Sequence, residues 1–263
     1  MKYLLAVALL VGTSSPPDQQ TTTSGQRRVV AGAHGMLQGP GSPSAAVAAA
    51  QGSREEQFTT VFGEDARDLV PTGTNPFFVL ETGFVLVLEG KDDGKDARTT
   101  ITVTTATRKI DGVETRVVEE VEVVGGQTIE ITRDYFAISR RTNNVYYFGE
   151  DVDVYTDGKV SGHAGSWRAG ENGAAYGLMM PGTPLLGARY HQEVAPGVGM
   201  DRAEVVSLAA KFECPAGKFA DVLQTEETTP LKKDEKEHKL YARGVGLLQD
   251  GGLRLTRYGK DVK

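Results

Sequence analysis

The chain has one cysteine, one tryptophan and four histidines in 263 residues, and each scarcity removes a class of function. A single thiol, Cys214, leaves no partner for an intramolecular disulfide and too few sulfurs for a Cys-based zinc site. No His or Asn is tied to it by a motif, so it reads as a small, half-buried hydrophobe. No stretch approaches the ~20 apolar residues of a membrane-spanning helix, so no integral membrane segment is expected. The net charge is −6 and there is no Lys/Arg-rich stripe. Nucleic acid is thereby excluded as a partner, because neutralising phosphates needs a basic surface.

Motifs for catalysis are equally scarce. The chain has no Gly-x-Ser-x-Gly elbow, no His-x-His, no HExxH and no complete calcium loop. Gly149-Glu-Asp-Val-Asp153 and Asp92-Asp93-Gly94 therefore read as solvated turn carboxylates. Ser166 and His163 are three residues apart, which on a strand puts them on opposite sides. Carboxylate pairs for glycoside hydrolysis abound but none stands out, and one Trp is few for a sugar-stacking enzyme.

What the chain has is glycine, 32 residues of it, and turn signals at short intervals. Lys2 followed by the apolar run Tyr3 to Val11 reads as a secretory signal over residues 1–15, with cleavage near Ser14–Ser15. No Cys lies near residue 20 to take a lipid anchor. Residues 16–56 are dominated by Ser, Thr, Gln, Gly, Pro and Ala and are expected to be a disordered linker. Residues 57–263 are expected to form one antiparallel β domain. These readings place the protein outside the cytoplasm, secreted, periplasmic or at the cell surface.

Within that domain Phe84 to Glu89 is a nearly continuous apolar strand, and Thr99 to Arg108 alternates with period 2. Asp111-Gly112, Gly125-Gly126, Asn143-Asn144 and Asp157-Gly158 mark hairpin turns. Thr115 to Val124 (TRVVEEVEVV) reads as a strand with one wet face. Thr128–Ser139, Val145–Phe148, Val152–Thr156, Lys159–Trp167, Lys218–Thr228, Lys236–Ala242 and Leu253–Tyr258 complete the set. Met200 to Leu208 fits a short helix or a strand. Gly244-Val-Gly246 is expected to bend the chain with at least one φ above zero, and Leu253 and Leu255 to face inward. The fold class is therefore mainly β, a single antiparallel curved sheet, half-barrel or barrel, preceded by a disordered N-terminal segment.

The segments Asn75-Pro-Phe-Phe, Tyr147-Phe-Gly-Glu-Asp151, Gly165-Ser-Trp167, Tyr190-His-Gln-Glu193 and Tyr241-Ala-Arg-Gly-Val-Gly246 together resemble a group of uncharacterised exported bacterial β-proteins. More distantly they are similar to TapB-like and DUF3108-type proteins. The resemblance covers roughly residues 74 to 258 and implies a curved antiparallel sheet or half-barrel. It brings no catalytic or ligand-binding residues with it.

Two sets of side chains could form a site. Tyr146, Tyr147, Phe148, Tyr155, Trp167 and Tyr176 either fill the core or line a concavity for a small lipophilic ligand, with Tyr147, Trp167 and Tyr176 as the contact residues. Leu178-Met179-Met180 would extend that wall. His163, His191 with Glu193, and His238 each have carboxylates close in sequence and could hold a divalent metal if their strands converge. At i, i+2 on a strand, His191 and Glu193 would share a face. The expectation is a non-catalytic exported β-domain, with no cofactor, that binds a small or lipophilic ligand or serves a structural role. A metal-dependent hydrolase using the histidines is the alternative.

Overall fold

The computed structural model describes residues 57–260 and 262; the signal and linker expectations for residues 1–56 lie outside them. The described chain is almost wholly antiparallel strand, apart from one 3-10 turn at Ala66–Asp68. In chain order the strands are β1 (Leu69–Val70), β2 (Gly73–Asn75), β3 (Phe78–Leu80), β4 (Phe84–Asp92), β5 (Lys95–Ile110), β6 (Val113–Val124) and β7 (Gln127–Ser139). They continue with β8 (Val145–Thr156), β9 (Lys159–Gly162), β10 (Trp167–Arg168), β11 (Ala175–Met180), β12 (Arg189–His191) and β13 (Glu193–Val194). The last five are β14 (Arg202–Cys214), β15 (Gly217–Thr229), β16 (Lys232–Ala242), β17 (Gly246–Asp250) and β18 (Leu253–Lys260).

The sheet runs β12-β14-β15-β16-β17-β18-β4-β5-β6-β7-β8-β11-β13, with β1 beside β7 and both β9 and β10 beside β8. Its two ends, β12 and β13, are separated in sequence by Gln192 alone, so the chain itself steps across the gap and nearly closes the sheet into a barrel. The β2–β3 hairpin stands apart as a separate pair. The expected turns are present. Asp93-Gly94, Asp111-Gly112, Gly125-Gly126 and Asp157-Gly158 all take positive φ, the conformation a two-residue hairpin turn requires.

Several sequence expectations change. Val145–Phe148 and Val152–Thr156 are one strand, β8, whose pairing with β7 shifts register between Asp134 and Phe136. Lys159–Trp167 is broken into β9 and β10. Of the two readings of Met200–Leu208, strand is the one found from Arg202 onward, where Arg202 to Glu204 pairs with β15 on one side and β12 on the other. Gly244 and Gly246 both have positive φ, at 71° and 104°, and Leu253 and Leu255 are buried while Tyr258 stays on the surface.

The largest change concerns β6, which turns two of its acids away from water. Glu120 and Glu122 are buried and face into the barrel, whereas Val117, Val121 and Val123 are half-buried on the outside. Register with the neighbours fixes this: Glu120 sits between Ile101 and Thr132, and Glu122 between Thr99 and Glu130. A slip of one residue would turn the acids outward but also turn Val118 away from Val103 and the core.

Close approach of backbones at the seam demands glycine at 177. A Cβ there would stand 2.1 Å from the Gln192 carbonyl oxygen, which is main chain and has nowhere to go. Gly177→Ala should therefore destabilise the protein by about 1–3 kcal/mol or more. Gly83→Ala, with open space around its Cβ, loses only the smaller cost of a positive φ. Chemical denaturation of the two variants side by side checks the ranking.

Candidate functional site

The inward-facing positions of one half of the barrel are acidic. Following the registers round the wall, Glu120 and Glu122 on β6 lead to Glu130 and Asp134 on β7 and Glu150 on β8. Across the barrel, Glu227 on β15 pairs with Glu237 on β16, and Lys239 on β16 pairs with Asp250 on β17. Glu193 from β13 and Asp201 from the segment before β14 join them at the seam. Lys239 is the ammonium at the centre, 4% exposed, 3.2 Å from Glu227 Oε2 and 3.4 Å from Asp250 Oδ2.

Neutral donors serve some of these acids. The Tyr147 hydroxyl donates to Asp134 at 2.7 Å, and Gln192 Nε2 and the Thr225 hydroxyl each donate to Glu227 Oε1 at 3.1 Å. Acceptors still outnumber donors: both Glu120 oxygens and one oxygen each of Glu122, Asp134, Glu150, Glu193, Asp201 and Asp250 are buried with no hydrogen-bond partner.

So many acids in one dry interior cannot all ionise. Burial, aided by the neighbouring acids, holds Glu120, Glu122, Glu150 and Glu193 well above the ordinary carboxylate range. Burial likewise pushes Asp134 up to about 7, Asp201 to about 6 and Glu237 to about 7. Burial works against the Lys239 ammonium, but the Asp250 and Glu227 charges more than offset it and hold Lys239 protonated.

Next to this acid layer the interior turns apolar. A cavity of about 50 Å³ is lined by Phe78, Phe84, Leu86, Ile101, Met179 and Leu247 among others, and Lys239 and Tyr241 contribute the polar side chains of its wall. Half-buried Phe78, Val79 and Phe84 carry the lining to the surface.

The three expected aromatic contact residues divide between two faces. Tyr147 is fully buried, stacks on Phe136 at 4.8 Å and meets Trp167 edge-on at 5.4 Å. Trp167 is buried as well and borders a separate polar pocket of about 110 Å³ with Arg168 and Val198. Tyr176 stacks on Phe148 at 5.0 Å and packs on Tyr146, so it lies on the opposite face of β8 from Tyr147. None of the three lines the apolar cavity; Met179 of the expected wall does.

The histidines are not brought together either. His163, largely exposed, lies 3.0 Å from Asp153, and His238 lies 3.2 Å from Glu226 on the outside of β15. His191 is buried against Phe58, and burial lowers its pKa. Glu193 turns instead to the acid network, so the expected shared face with His191 is lost where Gln192 interrupts the strand. Among the described residues no group of three or more His, Cys, Asp or Glu is arranged to hold a metal ion.

The raised acids make stability depend on pH in a defined direction. Between the ordinary carboxylate range near 4 and the value of about 7 reached by Asp134, the folded protein binds more protons than the unfolded chain. Stability is then fully present at the acid end and is lost as pH rises through that window, so the urea midpoint should fall across it. A midpoint that rises with pH would contradict the buried acid layer. Lys239→Met, which leaves Glu227 and Asp250 facing each other without the ammonium, should cost about 3–5 kcal/mol by the same assay at neutral pH.

No family model matches the chain, and no curated protein and no solved structure is similar to it.

Proposed function

We propose that the protein is an exported, non-catalytic β-barrel that takes the apolar part of a small lipophilic molecule into the cavity between Phe84, Leu86, Ile101 and Met179. The observation that carries this reading is the cavity itself, whose lining side chains are apolar except for Lys239 and Tyr241. Apolar surface left uncovered inside a barrel is what a lipophilic guest would bury, at roughly 25 cal/mol per Å². At about 50 Å³ the cavity suits the end of a short alkyl chain, since an apolar cavity that holds a benzene ring is about 150 Å³. The apolar run after Lys2 supports placement outside the cytoplasm.

Displacement of a fluorescent lipophilic probe tests the reading. Ile101→Trp and Met179→Trp each fill the cavity from a different strand and should weaken probe binding about tenfold or more, the equivalent of ~1.4 kcal/mol. Tyr176→Ala, on the other face of β8, should leave it unchanged. Equal binding by wild type and both filled variants, with melting behaviour intact, would remove the cavity as the site.

A further inference from the structure

The barrel closes through short pairings. β11 meets β13 through two residue pairs and β12 meets β14 through three, whereas β4 and β5 share eight. The same short seam carries Glu193, 2% exposed, with Oε2 buried and unpartnered. A Cβ on Gly199 would stand 2.4 Å from that oxygen and 3.3 Å from the Trp167 indole nitrogen, itself buried without a partner. Glycine at 199 thus lets the Ala195–Gly199 turn close over both.

We propose that this seam is a proton-operated latch, closed while Glu193 carries a proton and released when Glu193 ionises.

The surroundings of Glu193 disfavour its charge in the closed barrel, even though the Asp201 backbone N–H donates to its carboxylate. Asp134 faces it from β7, Glu150 and Tyr147 from β8, Asp201 from the segment before β14, and Lys239 from β16. Lys239 is the one cation of this set and is already engaged by Glu227 and Asp250. On the outer side of the seam, Arg202 lies over the Phe58 ring, with His191 against that ring's edge, and burial favours the neutral form of His191. An ionised Glu193 therefore stands among acids in a medium where like charges repel strongly.

Relief is available only where the wall is thin. The backbone N–H groups of Gln192 and Glu193 both donate to the Asp201 carbonyl, at 2.8 and 3.1 Å, so these three residues leave the lumen together. The few β11–β13 and β12–β14 pairs go with them, while the long registers of β4 to β7 hold. This is local opening, not unfolding. Since burial and neighbouring acids favour the protonated form of Glu193, the latch is shut in acid and releases as pH rises.

Amide hydrogen exchange on the full-length wild-type protein, corrected for the intrinsic pH dependence of exchange, reads the latch without any variant. Raising the pH should accelerate exchange over 189–203 and 175–178 relative to β5 and β6. The emission of Trp167, the only tryptophan, should shift reversibly to the red over the same range while far-UV circular dichroism stays constant. Glu193→Gln, isosteric and uncharged, should hold the seam at its acid-state exchange and emission at every pH. Seam exchange that tracks β5 and β6 at all pH values overturns the proposal, as does an unaltered pH response in Glu193→Gln. Neither readout uses a lipophilic probe, so the latch can fail while the cavity reading stands, and the reverse.

Discussion

The Lys239 ammonium is the group around which the interior of the barrel is arranged. It touches Glu227 and Asp250 directly and acts on Glu120, Glu122, Glu193, Asp201 and Glu237 through the low-dielectric interior. One positive charge cannot balance that many carboxylates, so protons and neutral donors must do the rest. Tyr147 on Asp134, and Gln192 and Thr225 on Glu227, are the donors the strands supply. Tyr147 reaches the neighbouring strand β7, Thr225 serves its own strand β15, and Gln192 reaches β15 from the link between β12 and β13.

A second constraint follows from closure. An open sheet of this length would expose two edges ready to pair with other chains. Here the edges are β12 and β13, consecutive in sequence, and the single residue between them crosses from one end of the sheet to the other. The crossing leaves little room for regular pairing, which is why Gly177 must lie against the Gln192 carbonyl and why the seam is short. This short-paired seam is thus also the place where Glu193, Asp201 and Gln192 enter the acid network.

Much of the fold was legible in the sequence, because turn chemistry is local. Asp93-Gly94, Asp111-Gly112 and Gly125-Gly126 announce their hairpins through residues that tolerate positive φ, and the strands between them follow. The faces of the strands were not legible, since alternation gives a period but not a direction. TRVVEEVEVV has the same pattern whether Val or Glu points inward, and only its pairing with Thr99, Thr132 and Glu130 decides. A signal for the acid layer was nonetheless there: Glu120-x-Glu122, Glu130-x-Thr132-x-Asp134, Thr225-x-Glu227 and Glu237-x-Lys239 repeat polar residues at period 2 on four strands. The first two are interleaved with Val or Ile at half-buried outer positions. The aromatic cluster divides for a related reason, because consecutive Tyr146, Tyr147 and Phe148 cannot share a face of one strand, and its members fill the core on both sides of β8.

The acid layer and the apolar cavity meet at two side chains, and this links their behaviour. Lys239 and Tyr241 lie two apart on β16, face the same way, and belong both to the cavity wall and to the network of Glu227 and Asp250. Lys239 also stabilises whatever negative charge Glu193 carries. A guest of the kind proposed for the cavity, seated against Lys239, would lower the dielectric around the ammonium and sharpen its pull on the acids. Ionisation at the proposed latch would in turn add a competing anion to those that hold Lys239 in place. On both proposals, occupancy of the cavity and protonation of the lumen would act on one shared charge.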